Sequence, residues 1–352
     1  MTSGVSEILA GMRNQAQPRF LVVSNKGIGD LICDSVLVSG IRRRLSQAQI
    51  TALVRGPAET AVFGNAGGVD EFLFFDTDDQ RYWRNVARLL LHLWKRPLDA
   101  VCFSTGTDGV KAPLLSLWTR ARYRVGEKSS ALAAFYTHAV AFRPEQHKVE
   151  SNWDILAAMG IPERPWPKFP VRPQDRRAID NFLTSLGLDG GPLIGIHPGS
   201  GMMEPHKRWP AERFVQLANL LTAARGKLIF LGGPEEKSLS EEISRAVRGA
   251  TYNVAGKLTL GQLAALMERL TVVIGNDSGP LHVANAVGTP TVTLFGPTSP
   301  RRTRPYGERA MVLQTRMSCS PCYPQLRQGC GAPVCLLDIE VDQVRQCLER
   351  FF

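Results

Sequence analysis

The chain is predicted to fold as α/β, with two Rossmann-like domains in tandem facing each other across a cleft. Three observations predict this. Short apolar, β-branched runs alternate with longer helical patterns in the first half, a proline-rich stretch interrupts them, and a second alternation follows. Strand–helix alternation at this spacing implies right-handed βαβ units around parallel sheets. At 352 residues the chain also exceeds the roughly 250–300 at which a single core stops growing.

In order, 20–23 reads as a strand, 31–45 as a helix and 50–54 as the next strand. Strands at 71–75 and 100–103 flank a helical stretch near 81–94. Between 143 and 173 stand Pro144, Pro162, Pro165, Pro167, Pro170 and Pro173, which forbid a continued sheet or a long helix after about Met159. The second alternation starts at 193–196, runs through 214–224, 228–231, 235–247 and 260–270, and closes with 272–274, a short helix at 281–287 and 291–295. The domains are accordingly 1–160 and 191–338, joined by a linker at 161–190, with a cysteine-rich segment at 319–335 and a C-terminal helix at 339–352.

Hydrophobic residues make up 44% and charged residues 21%, ordinary globular usage that excludes disorder and collagen-like structure. The 42 Lys and Arg against 32 Asp and Glu leave a formal charge of +10, shared evenly between the halves. Its densest clusters, Arg42-Arg43-Arg44, Arg120/Arg122/Arg124 and Arg301-Arg302 with Arg304, lack the interleaved aromatics that base stacking requires, so nucleic acid is not the expected partner. The first twenty residues hold Arg13 and no apolar h-region, and no run approaches the roughly 18 apolar residues of a membrane span. A cytoplasmic location is expected, with any membrane association peripheral.

In open α/β sheets ligands bind beyond the carboxyl ends of the strands. After the first strand, Ser24-Asn25-Lys26-Gly27-Ile28-Gly29-Asp30 combines two glycines with a carboxylate at a helix start. Asp30 could cap that helix or act as a base. Ile32 stands where a dinucleotide fingerprint needs its third glycine, which argues against NAD. In the second domain, His197-Pro198-Gly199-Ser200-Gly201 followed by Lys207-Arg208-Trp209-Pro210 has the parts of a phosphate site, or of an ordinary loop with a solvated lysine. A third turn, Asn276-Asp277-Ser278-Gly279-Pro280, runs into a helix carrying His282. The N–H groups and positive dipole end of that helix could hold a diphosphate without a metal.

The segment from Asp277 to Ala284, followed by Thr293-Leu294-Phe295-Gly296-Pro297-Thr298, resembles the C-terminal signature of glycosyltransferase family 9, the ADP-heptose:lipopolysaccharide heptosyltransferase family. Gly29-Asp30, the 197–201 turn and Lys207 with Trp209-Pro210 match the same family in order. The resemblance implies a GT-B fold, with the acceptor on the N-terminal domain and the nucleotide sugar on the C-terminal one. It implies that Asp30 is the general base, that Lys207 neutralises the diphosphate, and that Ser200 and Gly201 line the phosphate region. It likewise implies that Asp277, Ser278, Gly279 and His282 bind the donor, with Glu235 near the nucleoside and Glu236 adjacent. The implied partners are ADP-heptose and an anionic glycolipid acceptor at the inner face of the inner membrane, with no metal needed for catalysis.

Cys319, Cys322, Cys330 and Cys335 are spaced C-x2-C-x7-C-x4-C. In a cytoplasmic protein such a cluster suits a structural zinc or iron better than disulfides, the other reading being four reduced, unliganded thiols. Some relatives that glycosylate bacterial surface proteins are similar in carrying a four-cysteine iron-binding finger.

Overall fold

The structure, a computed structural model, describes residues 17–351 except 25, 65–67, 77–79, 189, 202–203, 225, 323–329 and 331–332, together with residues 8, 11 and 12. The chain divides into two compact units, Met1–Pro170 and Val171–Phe352.

The first unit is built from β1 (Arg19–Val23), α1 (Ile28–Arg44), β2 (Gln49–Val54), β3 (Glu71–Phe74), α2 (Tyr82–Trp94), β4 (Ala100–Phe103), α3 (Lys111–Trp118), β5 (Tyr123–Lys128), β6 (His138–Ala141) and α4 (Lys148–Ala158). Its six strands are parallel, in the order β3-β2-β1-β4-β5-β6. Phe20 to Val23 and Ala100 to Phe103 are buried without a break, because helices cover both faces of a parallel sheet. Helix α1 lies against α4 at Gly40, where an added Cβ would stand 2.5 Å from Leu156 Cδ1. Arg42, Arg43 and Arg44 fill the last turn of α1, where cations suit the dipole.

The second unit repeats the plan with α5 (Pro173–Ser185), β7 (Leu193–His197), α6 (Ala211–Ala223), β8 (Lys227–Phe230), α7 (Lys237–Ala246), β9 (Thr251–Asn253), α8 (Leu260–Met267), β10 (Val272–Asn276), α9 (Gly279–Ala286), β11 (Thr291–Phe295), β12 (Ala310–Gln314) and α10 (Val341–Leu348). Its parallel sheet is ordered β12-β11-β10-β7-β8-β9. Pro173, expected to break structure, opens α5, because proline suits the first helical turn, whose N–H groups are unpaired in any case. Trp209 is buried in the core with its ring edge-on to Phe214 at 5.0 Å, and its Nε1–H donates to Ile339 O at 3.0 Å. Val344 and Leu348 of α10 join the same core.

In both sheets the strand order reverses beside the first strand of the unit, between β1 and β4 and between β7 and β10. Those reversals open the crevices where doubly wound folds bind ligands. Among the described residues no helix is long and apolar enough to cross a membrane.

Candidate active site

In the first unit, a buried polar network ties the ends of β1 and β4 to α1 and α4. Asp34, fully buried on α1, accepts hydrogen bonds from Ser24 Oγ at 2.5 Å, Asn152 Nδ2 at 2.8 Å and Lys26 Nζ at 3.3 Å. Lys26 Nζ also donates to Ser104 Oγ at 2.8 Å and to Thr105 O. The Thr105 hydroxyl and the Gly106 N–H donate to Glu127, at 2.6 and 2.9 Å. Every buried charge in this network has a partner, which is what makes its burial tolerable.

Above the network stands Asp30. The N-cap of α1 is Gly27, without a side-chain cap bond, so Asp30 sits inside the first turn rather than at the cap. Its Oδ1 accepts a hydrogen bond from Lys148 Nζ, at the start of α4. Burial favours loss of the Lys148 proton, but the charge and hydrogen bond of Asp30, helped by Asp34, outweigh it and raise the lysine pKa. Burial, and then the charge of Asp30, push the Cys33 thiol well above its ordinary range and keep it neutral. The anionic group here is therefore the carboxylate.

In the second unit, the fully buried Asn276 at the end of β10 organises the neighbouring loop. Its Oδ1 accepts from Trp209 N at 2.9 Å, and its Nδ2 donates to Pro198 O at 2.8 Å and Gly199 O at 3.1 Å. Lys207, largely buried, pairs with Glu204 at 2.8 Å and reaches Asp277 Oδ2 at 3.8 Å, which also accepts from Thr298 Oγ1 at 2.7 Å. Asp277 leads to Ser278, the N-cap of α9, whose hydroxyl donates to Asn276 O at 3.1 Å and leaves the helix start without a side-chain cap. Gly279 is the first residue of α9, with Pro280 after it and His282 buried one turn in. Lys207, Asp277, Ser278 and Gly279 thus gather at the β7/β10 reversal.

Three predicted positions behave differently from a bare anion cradle. The Ser200 hydroxyl donates to Glu204 O at 2.5 Å and accepts from Arg208 Nε at 3.2 Å, while Arg208 Nη2 reaches Gly201 O at 2.9 Å. The Gly201 N–H is taken by Glu236 at 3.0 Å. Of the adjacent carboxylates after β8, Glu235 is exposed and Glu236 is buried, holding Gly201 N, Gly233 N at 2.9 Å and His197 Nε2 at 3.6 Å. Gly199 is required here, since a Cβ would stand 2.0 Å from the Glu236 carboxylate.

Burial alone would raise the Glu236 pKa, but His197, the two backbone N–H groups and Arg208 outweigh it and lower the value below the ordinary glutamate range. Its contribution to stability is therefore complete above that range and is given up as pH falls through the lowered value. Glu236→Gln turns an amide N–H toward one of these donors and is expected to destabilise the fold by about 1–3 kcal/mol at neutral pH. In urea unfolding at a series of pH values, the gap between the two proteins should shrink toward the acid end. A gap independent of pH would reject the bracketing role.

Among the described residues no group of three or more His, Cys, Asp or Glu stands where it could hold a metal ion. Cys319, Cys322, Cys330 and Cys335 form no disulfide among the described residues, and residues 323–329 and 331–332 between them lie outside the described residues. Burial, and then the charges of Cys322, Cys319 and Cys330, raise the Cys335 pKa.

Two doubly wound units, each with charged side chains at its strand-order reversal, have the fold of the GT-B glycosyltransferases. Residues 88–329 match glycosyltransferase family 9 (heptosyltransferase), and the chain belongs to that family. It is 34% identical over 154 residues to lipooligosaccharide heptosyltransferase 2 of Haemophilus influenzae, covering 42% of this chain and 44% of that protein. It is 25% identical over 307 residues to the lipopolysaccharide core heptosyltransferase OpsX of the same organism, covering 85% of each. The first alignment thus spans less than half of its relative. Among solved structures, a family 9 glycosyltransferase from Veillonella parvula superposes with a TM-score of 0.79 at 25% identity, over 95% of this chain and 97% of that one. The fold is also that of E. coli ADP-heptose lps heptosyltransferase II, with a TM-score of 0.74 at 22% identity over 95% and 98% of the two chains.

Proposed function

We propose that the chain is an inverting heptosyltransferase, moving heptose from ADP-heptose to an inner-core lipopolysaccharide acceptor on the cytoplasmic side of the inner membrane. The observation that carries the reading is the division of charge between the two strand-order reversals. A lysine-held carboxylate stands at one, and a buried lysine beside an uncapped helix start at the other. Membership of the family supports the choice of reaction, and the relatives' names support the choice of donor and acceptor.

Asp30 accepts the proton of the acceptor hydroxyl as its oxygen attacks the anomeric carbon. The bond from that carbon to the diphosphate oxygen breaks on the opposite face, which inverts the centre. Lys207 and the N-terminus of α9 take up the charge of the departing diphosphate, a task that needs no metal. Asp277, Ser278, Gly279 and His282 bind the donor there with Ser200 and Gly201 beside the phosphates, and Glu235 lies near the nucleoside.

A panel of nucleotide sugars tested against a heptose-deficient core acceptor, with nucleoside diphosphate release as the readout, examines the whole reading. Release from ADP-heptose supports it. Release from another donor only, or transfer only to a protein hydroxyl, would replace the substrate assignment, and no release from any donor would leave a binding protein. Lys207→Ala is expected to weaken donor binding tenfold or more, a loss of about 1.4 kcal/mol or more, and to slow transfer further; a donor titration indistinguishable from wild type would reject its role.

The C-x2-C-x7-C-x4-C spacing of Cys319, Cys322, Cys330 and Cys335 supports a structural zinc or iron site, closed to substrate, although the four side chains are not gathered as a metal-holding group among the described residues. Purified protein is expected to carry one metal per chain by elemental analysis; a small fraction of that would mean reduced, unliganded thiols.

A further inference from the structure

We propose that the outer face of α2 and α3 in the first unit is a docking surface for an anionic phospholipid bilayer. The proposal deepens the membrane-side reading given above by naming the surface and its lipid chemistry.

Helix α2 turns two different stripes outward. At 100° per residue, Trp83, Trp94, Ala87 and Leu91 fall within an arc of about 80°. All four are exposed, Trp83 by 79%. Arg84, Lys95 and Arg88 occupy the next 60° or so of the same helix and are exposed as well. The opposite side, with Leu93 buried and Leu89 packed beside it, faces the core of the unit.

Helix α3 continues the apolar stripe with Val110 at its N-cap and then Leu114, Leu117 and Trp118, all exposed. The two helices are joined where the Trp94 and Trp118 rings meet at a tilt of 47° with centroids 5.5 Å apart, the Trp118 Nε1–H donates to Leu90 O at 2.8 Å, and the Arg120 guanidinium lies 4.7 Å over the Trp94 ring. The result is a continuous ridge of tryptophan and leucine with a basic margin.

Charge complementarity selects the occupant. Residues 80–98 contain Arg81, Arg84, Arg88, Lys95 and Arg96 and no acidic residue, and 109–122 contain none either. Arg84, Arg88 and Lys95 form no ion pair among the described residues. Tryptophan and leucine flanked by unpaired cations suit the headgroup boundary of an anionic leaflet, where the rings enter the interface and the cations meet phosphates. The same face pressed against a second copy of itself would oppose like charges. A plain apolar protein partner would leave the basic margin unmatched.

The experiment is flotation of the full chain with vesicles of phosphatidylcholine alone or with phosphatidylglycerol. Wild type should bind the anionic vesicles, bind neutral ones at least tenfold more weakly, and be released by salt. Trp83→Ser with Leu91→Ser, both solvent-facing, and separately Arg84→Glu with Arg88→Glu should each lower anionic-vesicle binding more than tenfold, since each cation near such a surface accounts for about fivefold. Unchanged thermal melting confirms that these variants fold, and turnover on a delipidated, water-soluble acceptor should stay at the wild-type level.

Equal binding by wild type and both variants, or no binding by wild type, would overturn the proposal. So would a fall in oligomeric mass in the tryptophan variant without vesicle binding by wild type, which would make the face a self-contact. Failure of wild type on the soluble acceptor would instead count against the heptosyltransferase reading and leave the vesicle result standing.

Discussion

Asp30→Ala is expected to yield a folded protein that binds donor normally and transfers sugar about 10²–10⁴-fold more slowly, the usual range for loss of general-base help. The side chain is partly exposed in the first turn of α1 and is not the cap, so its removal breaks no helix start. What it does break is the pair with Lys148, leaving a mostly buried ammonium whose pKa Asp30 had been raising. The measurement is kcat beside a donor titration: a near-normal kcat would remove Asp30 from the chemistry. Lys148→Met supplies a second readout. Without the neighbouring cation the carboxylate is easier to protonate, so the acid limb of the pH–rate profile should move to higher pH. A merely structural lysine would lower the rate at all pH values without moving that limb.

The parts legible in the sequence are those made by neighbours in the chain. Strands β1, after its opening Arg19, and β4 are unbroken apolar runs and announce themselves, and the turns after β1, β7 and β10 carry their glycines and charges within a few residues. Strands β5 and β6 were not legible, because β5 mixes Arg124, Glu127 and Lys128 into its length and β6 is an edge strand of four residues with alternate ones exposed. The pairing of Asp30 with Lys148 spans 118 residues, as does that of Asp34 with Asn152, and only the packing of α1 on α4 creates them.

The second half-site shows the same limit at short range. Glu235 and Glu236 are chemically identical neighbours, and which of them turns inward depends on the phase of the short helical turn at Pro234–Glu236. The burial of Glu236 follows from the space left by Gly199, a constraint visible only after the loop meets β8. Ser200 is a comparable case, since its hydroxyl has two protein partners and shapes the loop before it meets any ligand. The signal in the sequence that points to Asn276 is its place after the apolar run Val272-Val273-Ile274-Gly275, directly before Asp277.

Asn276→Ala should have the largest effect on the second unit. The amide joins three segments: it accepts from Trp209 N and donates to the carbonyls of Pro198 and Gly199. Alanine leaves those buried backbone groups without partners, at about 1–3 kcal/mol for each that no water reaches, so a total near 3–5 kcal/mol is expected. The destabilisation should appear as a lower urea midpoint. Donor affinity should fall too, because the 198–201 loop and the backbone leading from Lys207 into α6 are both held by this side chain. Asn276→Asp separates the two effects: its oxygen can still accept from Trp209, but the second oxygen faces two carbonyls and carries a buried charge. It should be at least as destabilising as alanine. If either variant unfolded at the wild-type midpoint and titrated donor normally, the loop would be organised by something other than Asn276.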